Sequence, residues 1–290
     1  MKKSLTLVLT LLALSAFAQQ GILKESLKIK STILGQDVEY SIYLPSDYET
    51  SSRRYPVLYL LHGYTDDETG WTQFGEANLI ADKLLQSNEI PPMLIVMPDA
   101  GVSWYVNSAD GKVLYEDFFI KELIPYIDAN WRTRDKKEFR AIAGLSMGGH
   151  GSLIMAMKHP EMFVAAAPLS SGIITEDEIV NMPDENWDRV FGPPFGTGLK
   201  GKERLTAHLS ENWILKIVEN ANADDLKKVA YYIDCGDKDF LIKGNMALHA
   251  ALIDKKVPHE FRVRDGEHNW TYWRTALPEV LKFVGERFHR

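Results

Sequence analysis

Cysteine is nearly absent from this sequence, which has only Cys235 among its 290 residues. A single cysteine cannot form a disulfide within the chain, so the fold must be stabilised by its hydrophobic core. Cys235 lies inside an apolar run, a context that predicts a small buried residue. No adjacent basic residue would lower the pKa of its thiol, which disfavours a nucleophilic role.

Basic patches and long apolar runs are also lacking. The 40 acidic residues outnumber the 33 Lys and Arg residues, and the formal net charge is −7. A negative surface repels phosphate backbones, so we expect no nucleic-acid partner. After the first residues, no stretch reaches the roughly 18 apolar residues that a membrane-spanning helix needs, so we expect no stable membrane insertion.

The first 18 residues have the features of a signal peptide. Lys2 and Lys3 provide a positive start, and residues 5–14 form a short apolar stretch. The small-x-small pattern Ala16-Phe17-Ala18 predicts cleavage before Gln19 and a secreted or periplasmic protein. The apolar stretch is too short for a transmembrane anchor.

Residues 19–290 are predicted to form a single catalytic domain of the α/β class. Residues 22–30 and 38–44 alternate polar and apolar positions, which predicts an antiparallel pair of strands. Continuous apolar runs, typical of strands covered on both faces, then alternate with stretches of helical periodicity. The apolar runs cover residues 57–61, 93–97, 139–143, 163–169, 229–233 and 261–263, and the helical stretches cover residues 76–86, 115–129, 148–158, 245–254 and 278–288. This order favours a doubly wound, mostly parallel sheet with helices on both faces.

One segment interrupts the alternation of strands and helices. Residues 173–228 lie between two late strands and contain several prolines and glycines, including Pro193 and Pro194. The segment is too long for a plain crossover between parallel strands. We expect an insertion with short helices that covers a pocket.

The segment Gly144-Leu145-Ser146-Met147-Gly148 matches the G-x-S-x-G nucleophile elbow. In that motif a serine sits on a sharp strand-to-helix turn, and glycines on either side allow the backbones to approach closely. A predicted strand precedes the motif directly and a predicted helix follows it. Ser146 is therefore the candidate nucleophile, and the N–H of Met147 at the start of the helix is a candidate oxyanion donor.

A second oxyanion donor is expected from the turn His62-Gly63-Tyr64, which follows the apolar run 57–61. In a parallel sheet this turn would lie beside the elbow, where the N–H of Tyr64 is the best-placed donor. His62 itself is expected to support the loop.

His268 is the candidate general base among the eight histidines. It follows the apolar run 261–263 and precedes the last helix, as the chain order Ser–Asp–His requires. An orienting carboxylate must come from the loop after residues 229–233, where Asp237 and Asp239 are equally well spaced and Asp234 still belongs to the strand end. Spacing alone leaves the choice between Asp237 and Asp239 open.

These motifs resemble the esterase D / feruloyl and acetyl-xylan esterase group (carbohydrate esterase family 1) of the α/β-hydrolases. The matching segments are Tyr59-Leu60-Leu61-His62-Gly63, Val96-Met97-Pro98-Asp99, Ile142-Ala143-Gly144-Leu145-Ser146-Met147-Gly148-Gly149, Cys235-Gly236-Asp237-Lys238-Asp239 and Gly266-Glu267-His268-Asn269-Trp270. The resemblance implies that Asp239 is the triad acid and that Tyr64 gives the second oxyanion N–H. It also implies an enzyme that uses no metal and no organic cofactor.

The expected function is that of a secreted serine carboxylic ester hydrolase. Its substrate would be a small ester or an esterified oligosaccharide that carries feruloyl or acetyl groups of the plant cell wall. The candidate substrate-binding aromatics are Trp71, Trp104, Trp187 and Trp270. Three alternatives remain: an acyltransferase on the same scaffold, an S-formylglutathione hydrolase-like esterase, and a non-catalytic exported binding protein. The sequence predicts no oligomeric state.

Replacing Ser146 by alanine is expected to lower turnover by several orders of magnitude while the fold stays intact, because the nucleophile is lost. Hydrolysis of p-nitrophenyl acetate measures the effect, and circular dichroism checks the fold. Retention of most of the activity in the variant would refute the assignment.

Overall fold

A twisted eight-stranded sheet forms the centre of the protein. The computed structural model describes residues 20–288, so the predicted signal peptide and its cleavage site before Gln19 lie outside the described residues. The strands are β1 (Ile22–Lys30), β2 (Asp37–Leu44), β3 (Val57–Leu61), β4 (Leu94–Pro98), β5 (Arg140–Leu145), β6 (Ala165–Leu169), β7 (Ala230–Gly236) and β8 (His259–Arg264).

The strand order is β1-β2-β4-β3-β5-β6-β7-β8. β1 pairs antiparallel with β2, and β2 pairs antiparallel with β4. All other neighbours are parallel, from β4 through β3 and β5 to β8. The predicted fold class, a doubly wound and mostly parallel sheet with antiparallel N-terminal strands, is confirmed.

Helices cover both faces of the sheet. Successive residues of a strand point to opposite sides, and apolar residues on both sides must be buried. In β3, Tyr59 and Leu61 belong to one buried cluster, and Leu58 and Leu60 belong to the other. The α-helices are α1 (Gly70–Gln73), α2 (Ala77–Gln86), α3 (Tyr115–Phe118), α4 (Ile124–Asn130), α5 (Met147–Lys158), α6 (Glu176–Asn181), α7 (Asp184–Val190), α8 (Gly192–Phe195), α9 (Ala207–Asn212), α10 (Ile214–Asn220), α11 (Ala223–Leu226), α12 (Ile242–Asp254) and α13 (Trp270–Arg287). A π-helical turn (Phe119–Leu123) joins α3 to α4, and 3-10 turns occupy Lys137–Phe139 and Gly201–Arg204.

The last helix begins eight residues earlier than the prediction of residues 278–288. The side chain of Asn269 accepts a hydrogen bond from the N–H of Tyr272 and caps the helix at Trp270. Pro278, which favours a helix start, lies inside α13 instead. The difference matters for the site, because it places the first turn of α13 directly after His268.

The segment 173–228 contains helices α6 to α11 and the second 3-10 turn. Arg204, with 0% of its surface exposed, donates hydrogen bonds to the carbonyls of Leu199, Ile179 and Met182 and pairs with Asp184. These contacts tie separate turns of the segment together, since a buried guanidinium needs all its donors satisfied. Within residues 20–288, no helix has the length and apolar character required to cross a membrane.

Candidate active site

The backbone turns sharply at Ser146, between β5 and α5. Ser146 has φ 54° and ψ −116°, a conformation that side chains rarely adopt and that costs on the order of 1–3 kcal/mol. A Cβ atom on Gly144 would lie 2.4 Å from the carbonyl oxygen of Gly148. A Cβ atom on Gly148 would lie 2.5 Å from the carbonyl oxygen of His62. Both glycines of the motif are therefore required by close backbone approach.

Three side chains from separate loops meet at the carboxyl end of the sheet. His268 Nε2 lies 2.9 Å from Ser146 Oγ. His268 Nδ1 lies 2.9 Å and 3.0 Å from the two carboxylate oxygens of Asp239. With the proton on Nδ1 donated to Asp239, Nε2 is free to accept the proton of the serine hydroxyl. The arrangement has the geometry of an activated nucleophile, its base and the group that orients the base.

The other two candidate carboxylates lie elsewhere. Asp237 accepts a hydrogen bond from the N–H of Gly266 at the exposed surface and stabilises a turn. Asp234 is buried in β7, where it accepts hydrogen bonds from the hydroxyls of Tyr232 and Tyr272 and pairs with Arg264 at 2.8 Å. The structure therefore brings Asp239, and neither of its neighbours, to His268.

Asp239 is 2% exposed, and its surroundings favour the charged form. Burial by itself raises the pKa of the carboxyl group, but the hydrogen bond and charge of His268 and the N–H of Leu241 together hold its pKa below the usual range. The carboxylate is thus negative at neutral pH and available to stabilise a protonated imidazole.

Two backbone N–H groups lie beside Ser146 and have no hydrogen-bond acceptor within residues 20–288. Met147 is the first residue of α5, where no preceding helical turn provides a carbonyl partner. Among the described residues, the N–H of Tyr64 donates no backbone hydrogen bond. The loop that carries it runs past the nucleophile, since a Cβ atom on Gly63 would lie 3.7 Å from the Cβ of Ser146. Both groups can act as donors to an oxyanion.

Two buried rings hold the Tyr64 loop in place. His62 Nδ1 lies 2.8 Å from the carbonyl oxygen of Gly63, and its Nε2 accepts a hydrogen bond from the N–H of Ala100. The hydroxyl of Tyr105 donates to the carbonyl of His62 at 3.1 Å. His62 supports the loop as expected. The role of Tyr105 was missed, because nothing in the sequence indicates that a residue after β4 reaches the loop after β3.

A cavity of about 570 Å³ opens above Ser146. Its apolar wall comes mainly from the segment 173–228 and from Trp104, whose ring lies 4.7 Å from that of Phe191 with a 36° tilt. The apolar lining residues are Trp104, Leu145, Ile174, Met182, Val190, Phe191, Phe240, Leu241 and Trp273, and the charged or amide ones are Asp66, Glu178, Asn186 and Arg189. A mostly apolar cavity with a few polar groups is typical of a small-molecule site.

The chain matches a known protein family over most of its length. A model of the family described as "Putative esterase" matches residues 31–284. The chain belongs to this esterase family. Over 146 residues this esterase is 40% identical to an endo-1,4-beta-xylanase/feruloyl esterase of Xylanibacter ruminicola, a match that covers 48% of this chain and 20% of that protein. Over 259 residues it is 31% identical to an esterase of Mycobacterium tuberculosis, which covers 83% of this chain and 54% of the relative.

A solved ferulic acid esterase has a similar structure, with a TM-score of 0.79 and 33% sequence identity. The match covers 93% of this esterase and 99% of that chain. These similarities confirm the resemblance that the motifs predicted. This esterase spans 20% of the length of the Xylanibacter relative and 54% of the length of the mycobacterial one.

The tryptophans predicted to bind substrate do not all reach the cavity of the esterase. Trp104 lines it, whereas Trp71, Trp187 and Trp270 do not. The prediction is wrong for Trp71 and Trp187, which are 1% and 0% exposed and donate their indole N–H to the carbonyls of Leu61 and Gly196. Both are packing residues.

Trp270 lies outside the cavity, with its ring 5.4 Å from that of Trp273. The aromatic lining residues that sequence reasoning missed are Phe191, Phe240 and Trp273. Cys235 is fully buried as predicted, and burial raises the pKa of its thiol, which removes it as a nucleophile of the esterase.

Replacing Tyr105 by phenylalanine is expected to lower kcat about five- to tenfold with KM within about twofold, because the His62 carbonyl loses a buried donor and the Tyr64 N–H shifts. Steady-state kinetics on p-nitrophenyl acetate gives the two constants. Tyr231→Phe is the matched control, since the buried Tyr231 hydroxyl has no hydrogen-bond partner among residues 20–288. Equal kcat values for the two variants would show that Tyr105 does not position the loop.

Proposed function

We propose that this protein is a secreted serine carboxylic ester hydrolase that releases hydroxycinnamoyl or acetyl groups from plant cell-wall carbohydrate. The observation that carries the proposal is the continuous set of hydrogen bonds from Asp239 through His268 to Ser146, at the floor of the cavity. A His–Asp pair that only stabilises a fold does not need a serine hydroxyl beside the histidine. Acyl transfer does need one, because the hydroxyl is the nucleophile.

The acylation step follows from the positions of these atoms. His268 Nε2 takes the hydroxyl proton of Ser146 as Oγ attacks the ester carbonyl carbon. The carbonyl oxygen becomes an oxyanion, held by the N–H groups of Met147 and Tyr64. The C–O bond to the alcohol then breaks, and the alcohol leaves with the proton from His268. Asp239 stabilises the imidazolium throughout and stays charged.

Deacylation repeats the same steps with water. His268 takes a proton from water as its oxygen attacks the acyl-enzyme carbonyl, and the oxyanion forms again between the same donors. Collapse of the intermediate breaks the bond to Ser146 Oγ, which recovers its proton from His268, and the carboxylic acid is released. The mechanism requires no metal and no organic cofactor.

The shape of the cavity supports an aromatic acyl group. Trp104 and Phe191 give an aromatic wall of two contacting rings, and Glu178 lines the same cavity. One oxygen of Glu178 accepts hydrogen bonds from Thr175, which fixes the carboxylate at the start of α6. A planar aromatic ring can pack against this wall while its phenolic hydroxyl donates a hydrogen bond to the carboxylate of Glu178. The relatives named as feruloyl or ferulic acid esterases favour the same class.

The segment 173–228 is proposed to act as a cap on a single catalytic domain that spans residues 19–290. It supplies Phe191, Met182 and Val190 to the outer wall, and its internal contacts at Arg204 keep those side chains in place. Export to the periplasm or out of the cell, where polymeric substrates occur, is proposed from the signal-peptide pattern of residues 1–18.

The substrate class is tested by hydrolysis of methyl ferulate and of an acetylated xylo-oligosaccharide, with the Ser146→Ala variant as the control for spontaneous hydrolysis. We expect the wild-type enzyme to release ferulate, acetate or both at rates at least about 1,000-fold above the variant. Inactivity on both substrates, with p-nitrophenyl acetate still hydrolysed, would overturn the plant-wall assignment and leave the esterase mechanism standing. Product analysis with an added sugar acceptor distinguishes hydrolysis from acyl transfer.

A further inference from the structure

A row of contacting rings runs along the edge of the site, beginning outside the cavity and ending at its mouth. The ring centroids of Phe74 and Trp270 are 5.7 Å apart, and those of Trp270 and Trp273 are 5.4 Å apart. Trp273 lies 4.9 Å from His268, and His268 lies 4.5 Å from Phe240. We call these five residues the rim strip.

Both ends of the rim strip face solvent. Phe74 is 51% exposed and Phe240 is 71% exposed, and these are the only phenylalanines among the exposed large hydrophobic residues of the described chain. Singly exposed apolar residues are ordinary on protein surfaces. Here, however, the two rings terminate one continuous row that passes through the candidate general base.

The position of His268 decides which part of a substrate lies over the rim strip. The leaving alcohol receives its proton from His268 Nε2, so its oxygen must come within hydrogen-bond distance of that atom. In the proposed mechanism the acyl group extends from the carbonyl carbon to the wall of Trp104 and Phe191. The alcohol portion of the ester then lies beside His268, Trp273 and Phe240, which line another part of the same cavity.

Charged side chains flank the rim strip near both ends. Arg274 and Glu76 pair at 3.1 Å, one turn after Trp270 and two residues after Phe74. Lys238 and Asp265 pair at 2.5 Å in the loops that carry Phe240 and His268. Both pairs are exposed enough to exchange their mutual contact for a hydrogen bond to a ligand, because exposed ion pairs contribute little.

We propose that the rim strip binds the neutral sugar chain that carries the ester, with C–H faces of the sugar rings stacked on Phe74, Trp270 and Phe240. The sugar hydroxyls then contact the Arg274–Glu76 and Lys238–Asp265 pairs. The inference rests on the proposed function, since it takes the alcohol side of the site from the acyl-transfer mechanism. A sugar chain is bound by flat apolar faces together with hydrogen-bonding groups, and the rim strip provides the first while the two ion pairs beside it provide the second.

Other occupants fit this surface less well. A lipid surface needs a broad apolar face, and here ion pairs border a single row of rings. The net charge of −7 also disfavours an anionic membrane.

The kinetic test compares an arabinoxylo-oligosaccharide feruloyl ester with methyl ferulate, whose alcohol is too small to reach Phe74. The quantity measured is the ratio of kcat/KM for the oligosaccharide ester to kcat/KM for the methyl ester. We expect Phe74→Ala to lower this ratio about three- to tenfold, as loss of one stacked ring implies. The control is Ile253→Ala, which removes a 54% exposed apolar side chain of α12 outside the rim strip. An equal ratio in both variants would overturn the proposal while hydrolysis itself continues.

A binding test does not depend on activity. Calorimetry with the wild-type protein and an unesterified arabinoxylo-oligosaccharide is expected to detect binding that Phe74→Ala weakens about three- to tenfold. If the sugar binds in this way but neither ester is hydrolysed, the rim strip is a sugar-binding surface and the proposed function is refuted. Absence of sugar binding, or binding to phosphatidylcholine vesicles that Phe74→Ala abolishes, would overturn the sugar assignment.

Discussion

The positive φ of 54° at Ser146 is the constraint around which the active site is arranged. An isolated chain would not keep this torsion, so neighbouring backbone must hold it. The N–H of Ser146 donates to the carbonyl of Leu169 at 3.0 Å, and the N–H of Gly172 donates to the carbonyl of Ser146 at 2.8 Å. The turn is thereby fixed to β6 and to the loop that follows it. Gly148 also touches the backbone of the loop after β3. The same turn therefore fixes the distance from Ser146 to the loop that carries the N–H of Tyr64.

A buried carboxylate is the second constraint. Asp239 has lost nearly all contact with water, and a buried charge without partners costs several kcal/mol. Its partners are His268 and the N–H of Leu241, which come from the loop after β8 and from the start of α12. The interaction therefore stabilises the arrangement of two loops and, in the same contacts, directs His268 Nε2 to the nucleophile. Structure and proposed mechanism depend on one set of hydrogen bonds.

The sequence predicted the sheet, the elbow and the position of His268, because each has a local cause. Continuous apolar runs predict strands covered on both faces, and the glycine spacing of the elbow reflects direct backbone contact. The choice between Asp237 and Asp239 was open from spacing, since both lie in one loop and only tertiary contact distinguishes them. The aromatic wall was predicted poorly for the same reason. A tryptophan such as Trp187 packs inward or faces a cavity according to the folded positions of distant segments, which no local pattern records.

We infer that Asp239, acting through His268, activates Ser146. The most direct measurement is kcat for Asp239→Asn beside Asp237→Asn, with both folds checked by thermal unfolding. Asparagine at 239 favours the wrong tautomer of His268, so we expect kcat to fall by about 10³- to 10⁴-fold, while the change at 237 alters kcat by less than about threefold. Comparable losses in the two variants, or an Asp239→Asn enzyme that keeps most of its activity, would show that Asp239 does not activate Ser146 through His268.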